Sequence, residues 1–152
     1  MKSKFFIIIF SVFFYSIVHS ENLNIESKEI ILDKNKNTSI FENKVVIDTS
    51  DGNKIVSDFA EYNKEQGFVK LKNNIIVTDK NNNIIETDYA EYYEKNRVFK
   101  TKGATKITTT ENYVVETNDI VFDNKKKFIS SNKKTKINDQ SNSIIYLQSF
   151  EY

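Results

Sequence analysis

The feature that most constrains this chain is a sequence repeat with a period of 30 residues. Residues 57–62, Ser-Asp-Phe-Ala-Glu-Tyr, recur at 87–92 as Thr-Asp-Tyr-Ala-Glu-Tyr. The last position of this unit is large and apolar or aromatic in five copies: Leu32, Tyr62, Tyr92, Phe122 and Tyr152. Two further columns hold only Ile or Val, namely Ile47, Val77, Ile107, Ile137 and Ile25, Ile55, Ile85, Val115, Ile145. Such a repeat predicts an array of one structural unit whose neighbouring copies complete a common core.

Within each copy the apolar residues alternate with a period of two, as in Thr105-Lys106-Ile107-Thr108. This period, together with the many β-branched and aromatic residues, indicates β-strands. Turn sequences such as Asp51-Gly52 separate the apolar runs and favour tight hairpins. The pattern predicts two long antiparallel strands in each copy, at 38–49, 68–79, 98–109 and 128–139, and at 53–62, 83–92, 113–122 and 143–152.

Both types of strand are expected to bend. The residues expected to face the core have odd numbers at Ile55 and Ser57 but even numbers at Ala60 and Tyr62. Because side chains alternate between the two faces of a strand, this change requires one extra residue, and we expect a β-bulge at Asp58-Phe59. In the other strand type, Asn73-Asn74 and Gly103 fall in mid-run, where a corner is expected. Bent strands with repeated corners predict an all-β fold. We expect a bent antiparallel β-jelly roll of 30-residue repeats, open at both ends.

The first 20 residues have the layout of a secretory signal peptide. Lys2 and Lys4 precede an apolar run, Phe5 to Val18, and the permitted triplet Val18-His19-Ser20 follows. We therefore expect a signal peptide at 1–20 and one domain at 21–152. The alternative is that residues 5–18 remain as an uncleaved membrane anchor, although this run is short for a span of about 20 residues.

Removal of this segment takes Lys2, Lys4 and the single His from the chain, which leaves 20 basic and 21 acidic residues and no Cys. This balance gives no reason to expect nucleic-acid binding. Without His or Cys, catalytic triads and ordinary zinc sites are excluded, so we expect no enzyme and no cofactor or metal. Asp58 with Glu61, repeated as Asp88 with Glu91, resembles a glycosidase pair, but acids that recur in successive copies are better explained as surface positions.

The repeat resembles the OstA-like domain family of lipopolysaccharide transport. Val45-Val46-Ile47, the segment 54–62 and their copies at +30 carry this resemblance over about residues 24–152. The family includes the periplasmic bridge protein, its inner-membrane partner and the N-terminal periplasmic domain of the outer-membrane assembly protein. The resemblance implies non-enzymatic transport of lipopolysaccharide across the periplasm to the outer membrane. It also implies that domains stack by edge-strand pairing, with 24–32 and 143–152 as the edges here.

The resemblance further implies that lipid acyl chains lie in an apolar groove between the sheets. We assign to this groove ten inward-facing residues: Val45, Ile47, Ile55, Ile75, Val77, Ile85, Ile107, Val115, Ile137 and Ile145.

Several alternatives stay open. The clusters Lys125-Lys126-Lys127 and Lys133-Lys134-Lys136 can meet lipid phosphates at a groove mouth, although solvated turns are the simpler interpretation. The alternative function is a secreted, adhesin-like structural β-repeat with no lipid ligand. The sequence also leaves open a free-standing bridge protein or a fragment of the assembly protein, as well as the oligomeric state and the lipid specificity.

Overall fold

The computed structural model describes residues 23–34, 36–141 and 143–152, so the predicted signal peptide at 1–20 lies outside the described residues. The described ranges contain no helix that is long and apolar enough to span a bilayer. They form the following strands: β1 Asn24–Glu26, β2 Glu29–Asp33, β3 Thr38–Asp48, β4 Lys54–Asn63, β5 Phe68–Thr78, β6 Ile84–Tyr93, β7 Val98–Thr101, β8 Ala104–Thr108, β9 Val114–Asn118, β10 Val121–Asp123, β11 Phe128–Ser131, β12 Thr135–Asn138, β13 Ile144–Leu147 and β14 Phe150–Glu151.

The predicted all-β, antiparallel architecture is confirmed. The predicted strands at 38–49, 53–62, 68–79 and 83–92 are β3 to β6, each continuous over ten or eleven residues. The later copies are each divided in two at the bend, as in β7 and β8, which flank the predicted corner at Gly103. Gly103 has a φ of 85°, which an L side chain rarely adopts, so glycine suits this corner.

The strands form one branched sheet that folds into two layers. The N-terminal half of β6 pairs with β8, whereas its C-terminal half pairs with β7, so neighbouring strands separate at the bend. We call one side the isoleucine layer; it contains β1, β8, β9, β12, β13 and the halves of β3 to β6 that pair with them. The aromatic layer contains β2, β7, β10, β11, β14 and the remaining halves of β3 to β6.

The long strands bend at the position where the alternation of inward-facing residues shifts, as the sequence predicted. Ser57 and Ala60 are both buried, with Asp58 and Phe59 outside the core between them. The extra residue, however, is on the neighbouring strand: Asn43 and Lys44 of β3 lie opposite Asp58 alone, and at the next repeat Asn73 and Asn74 of β5 lie opposite Asp88 of β6 alone. The prediction of a bulge within Asp58-Phe59 was therefore wrong about the strand. Asn73 and Asn74 have φ values of 64° and 50°, which asparagine tolerates better than most residues.

Repeated aspartates hold these corners together. The Asn74 side-chain amide donates a hydrogen bond to Asp58 (2.7 Å), and the Asn74 backbone N–H donates to Asp88 (3.3 Å). At the next corner the repeat places Asn118 instead of an aspartate, and the Gly103 N–H donates to the adjacent Asp119 at 2.7 Å. Backbone N–H groups at a bulge lose their hydrogen-bond partners on the neighbouring strand. These carboxylates accept hydrogen bonds at the bend, including those from the backbone N–H groups of Asn74 and Gly103. The recurrent aspartates thus have a structural explanation.

Buried hydroxyl groups occupy core positions near the corners of the later repeats, and Thr101 and Thr105 stand where the preceding copy has Leu71 and Ile75. Thr101 and Thr105 share a hydrogen bond of 2.7 Å between their hydroxyls, and Thr117 and Thr135 share one of 2.9 Å. Thr117 also bonds Ser131 at 3.2 Å. Since each of these buried hydroxyls has a partner, they join the two layers at the bend without the cost of an unsatisfied polar group.

Candidate functional site

A continuous row of aliphatic side chains crosses the isoleucine layer from one edge to the other. Antiparallel pairing places Ile25 beside Ile47, and Ile47 beside Ile55. The register continues across every following strand without a break, through Val77, Ile85, Ile107, Val115, Ile137 and Ile145. We call these nine residues the isoleucine row. The row runs perpendicular to the strands, so it follows the long axis of the repeat array.

From Ile47 onward, the exposure of the row rises toward the late repeats, while Ile25 at the first edge is partly buried. Ile47 is fully buried at 0% exposure, Ile85 and Ile107 are at 7%, and Ile145 reaches 48%. All these positions carry similar side chains, so the difference reflects what covers them. The two layers are closed over the early part of the row and separate toward its end.

The aromatic layer presents a second row that faces the first. Tyr62 pairs with Val69, Val69 with Tyr92, and Tyr92 with Phe99. The same register continues through Phe122 and Ile129 to Tyr152, whose backbone exchanges two hydrogen bonds with that of Ile129. We call these seven residues the aromatic row. The cleft between the layers is therefore apolar on both walls.

The two rows enclose a cavity of about 300 Å³ in the later repeats. Val77, Ile85 and Ile107 line it from the isoleucine layer, and Phe122, Ile129 and Tyr152 line it from the aromatic layer. Nine polar residues from the loops between strands complete the lining, so the cavity has apolar inner walls and a polar rim. Such a site suits a ligand that has both apolar chains and a polar group. The early repeats are instead filled by a packed core that includes Phe41, Val45, Ile47, Ile55, Val69, Leu71 and Ile75.

An ion pair connects the hairpin tips of the two layers beside this cavity. Arg97, in the turn between β6 and β7, lies 3.0 Å from the carboxylate of Asp51, in the turn between β3 and β4. Asp51 also lines the cavity. The predicted hairpin turn at Asp51-Gly52 is confirmed, with the Gly52 N–H bonded to the Thr49 carbonyl at 3.0 Å. This turn therefore reverses the chain and also supplies Asp51, one partner of the ion pair that connects the two layers.

The ten residues predicted to line a groove fall into three groups. Val77, Ile85 and Ile107 line the cavity. Val115, Ile137 and Ile145 continue the same row toward the last edge with increasing exposure. The other four, Val45, Ile47, Ile55 and Ile75, are buried in the closed early core at 0 to 2% exposure. Their assignment as groove residues stays a prediction.

Phe122, Ile129, Tyr152 and Asn124 line the cavity but were not assigned to it from the sequence. Phe122 and Tyr152 belong to the aromatic column that the repeat makes visible, so a signal for them existed. Ile129 follows Val69 and Phe99 at the same period of 30. These columns indicate a buried face, but they do not indicate that this face lies across a gap from the isoleucine row.

Shifted pKa values occur among groups on the aromatic layer that lie outside the cavity lining. A hydrogen bond from Lys102 lowers the pKa of Glu91, which also accepts bonds from Tyr89 and Tyr93. Burial, reinforced by the charge of Glu94 and a hydrogen bond to it, raises the pKa of Tyr62 to about 12. Glu61 bonds Lys70 at 3.1 Å. These contacts explain the repeated glutamates as cross-strand partners on the sheet surface.

Both ends of the sheet expose apolar edge strands. In the described part of the chain, β1 and β2 pair only with β3, and β13 pairs only with β12. Exposure is 55% at Ile30 and Ile31 on the first edge, and 52% at Ile144 and 74% at Tyr146 on the last. Exposed, apolar edges of this kind are available to pair with a further strand.

Comparison with known proteins gives a family and a fold. The family model for LptC, described as lipopolysaccharide-assembly, LptC-related, matches residues 2–115. No curated protein sequence matches the chain. Among solved structures, the fold is similar to that of LptH from Pseudomonas aeruginosa, described as the LptA homologous periplasmic component of the lipopolysaccharide transport device. The TM-score is 0.64 at 12% identity, over 84% of this chain and 94% of that chain.

Proposed function

Because the chain belongs to the LptC-related family of lipopolysaccharide-assembly proteins, we propose that it carries lipopolysaccharide by holding the acyl chains between its two layers. The chain is a component of lipopolysaccharide transport, and the family favours this function over a structural module without a lipid ligand. The observation that supports the groove is the unbroken isoleucine row, which leads from a closed core into an open apolar cavity.

Burial of acyl chains provides the free energy of binding. Each methylene removed from water contributes about 0.8 kcal/mol. A row that runs along the axis of the array, with aliphatic residues at every step, offers similar contacts at each position. Movement along such a row exchanges one set of contacts for an equivalent set, so a chain can advance without a covalent step. No catalytic group is required for this function.

Site-specific photo-crosslinking tests the groove. We expect p-benzoylphenylalanine at Ile107, which lines the cavity, to crosslink to lipopolysaccharide. The matched control is Ile76 on β5, which is 42% exposed and alternates with the inward-facing Ile75 and Val77, so it lies on the outer face. Equal crosslinking at both positions, or none at Ile107, would contradict the proposed groove.

We propose that the edges join this domain to other domains of the same fold. Pairing of the last edge of one domain with the first edge of the next would place Ile145 beside Ile25 and extend the isoleucine row without interruption. Since Ile145 is 48% exposed, this pairing would also cover apolar surface. A lipid chain could then pass from one domain to the next along a single apolar surface.

The edge pairing is testable with cysteines because the sequence contains none. The eight antiparallel steps between β1 and β13 leave these two strands running in the same direction, so an uninterrupted row requires parallel pairing between domains, and Ile145 beside Ile25 then brings Tyr146 of one copy opposite Glu26 of the next. A mixture of Tyr146→Cys and Glu26→Cys chains is expected to form a disulfide-linked pair on non-reducing gels, since neighbouring strands lie about 5 Å apart. Tyr146→Cys mixed with Ile76→Cys is the control, and similar yields from both mixtures would refute specific edge pairing.

We propose that the domain works in the periplasm, associated with the outer membrane, after removal of residues 1–20. The similar LptH is described as periplasmic. The absence of Cys and the closed aliphatic core of the early repeats mean that the fold needs no disulfide to persist there.

A further inference from the structure

The polar residues around the cavity leave two cations without acidic partners. The carboxylate of Asp51 is paired with Arg97. That of Asp79 accepts three hydrogen bonds of 2.8 Å within its own turn. Lys80 and Lys127 also line the cavity, and neither forms an ion pair with the described residues. The donors to Asp79 are neutral N–H groups, so this carboxylate keeps its charge; with Arg97 counted, the rim has three cations and two carboxylates, a net charge of +1.

The two lysines lie on opposite sides of the cavity, one in each layer. Lys80 belongs to the turn between β5 and β6, at the tip of the isoleucine layer. Lys127 belongs to the turn between β10 and β11, at the tip of the aromatic layer. An anion held between them would contact both layers, while anything attached to it could extend into the apolar interior.

Asn124 supplies a further donor beside Lys127. Its side chain is 7% exposed and lines the cavity, yet its Nδ2 has no hydrogen-bond acceptor. Its Oδ1 is occupied by the Lys127 ammonium at 2.9 Å. A buried amide donor without an acceptor is unfavourable, so an oxygen that reached this position would gain a hydrogen bond at a group already removed from water.

We propose that Lys80, Lys127 and Asn124 form a subsite for a phosphoryl group at the mouth of the apolar cavity. The inference rests on the proposed function and adds to it the position of the anionic headgroup. Ammonium groups and an amide N–H are suitable donors to phosphoryl oxygens, and charge assistance strengthens such bonds. The ligand would thus be oriented, with its acyl chains between the two layers and its phosphoryl group at the rim of the cavity, between Lys80 and Lys127.

The test compares two soluble lipids that differ only in the phosphoryl group, dihexanoyl phosphatidic acid and dihexanoylglycerol. We expect the double variant Lys80→Gln and Lys127→Gln to bind the phosphatidic acid about tenfold more weakly, by calorimetric titration, because charged hydrogen bonds are lost. Binding of dihexanoylglycerol is expected to stay unchanged. The charge-matched control, Lys28→Gln and Lys64→Gln, alters two exposed lysines outside the cavity lining and should leave both affinities unchanged.

Each other outcome has a defined meaning. An equal loss for both lipids in the Lys80 and Lys127 variant, or the same loss in the control variant, would overturn the phosphoryl subsite but leave the groove intact. Failure of wild-type protein to bind either lipid would contradict the proposed function itself. Inorganic phosphate is a third probe: if it binds as tightly as the phosphatidic acid, the site takes free phosphate and the assignment to a lipid headgroup is wrong.

Discussion

Replacing Ile47 with alanine is expected to destabilise the fold by about 2–5 kcal/mol, the cost typical of truncating a fully buried aliphatic side chain. Ile47 has 0% exposure and lies between Ile25 and Ile55 in the isoleucine row, within the closed early core. Its loss leaves a void that close-packed neighbours fill only in part. The measurement is the free energy of unfolding from urea titration, followed by circular dichroism.

The same row provides the control. Ile145→Ala removes the same atoms from the same row, but Ile145 is 48% exposed and lies on the last edge. We expect a loss of about 1 kcal/mol or less, because little of this surface is buried within a single chain. Equal losses at the two positions would mean that the late repeats are as closed as the early ones. That result would contradict the opening of the cleft.

The fold was largely predictable because the repeat makes the side-chain pattern visible several times. A single strand with the sequence of β12 is short and ambiguous, but Ile137 gains significance as the copy of Ile47, Val77 and Ile107. Since the turns also recur at the same period, the register that aligns these residues follows from the repeat length. The isoleucine row is the direct structural consequence of that alignment.

The position of the extra residue at the bend was not predictable to the same degree. The alternation of apolar and polar residues along β4 indicates that Ser57 and Ala60 lie on the same face, which requires an irregularity near Asp58. The alternation within one strand does not indicate which of two paired strands carries the additional residue. The asparagines at 73 and 74 were a usable signal, because asparagine tolerates the positive φ that such a bulge requires.

The cavity was the least predictable feature, because it depends on the distance between layers rather than on a pattern along the chain. Ile47 and Ile107 occupy equivalent positions in the repeat and both are buried in the core, yet only Ile107 lines the cavity. The ion pair between Arg97 and Asp51 joins turns far apart in sequence, and no local signal indicates it.

Filling the cavity is expected to abolish most lipid binding while the fold persists. Ile129→Trp places a large ring on β11, where Ile129 is partly buried and lines the cavity from the aromatic layer. Exclusion of about three methylenes of an acyl chain would cost about 2.4 kcal/mol, or roughly a fiftyfold loss of affinity. The ring enters existing space, so we expect unfolding free energy to change by less than about 1.5 kcal/mol.

The control is Val121→Trp, which places the same ring on β10 at a position that is 36% exposed and outside the cavity lining. The wild-type sequence contains no Trp, so each variant carries one fluorophore. Emission from Ile129→Trp should be shifted to shorter wavelength than that from Val121→Trp if the ring fills the apolar cavity. Lipopolysaccharide affinity, measured by calorimetric titration, should fall only for Ile129→Trp. A blue-shifted Ile129→Trp variant that still binds normally would show that the acyl chains lie elsewhere.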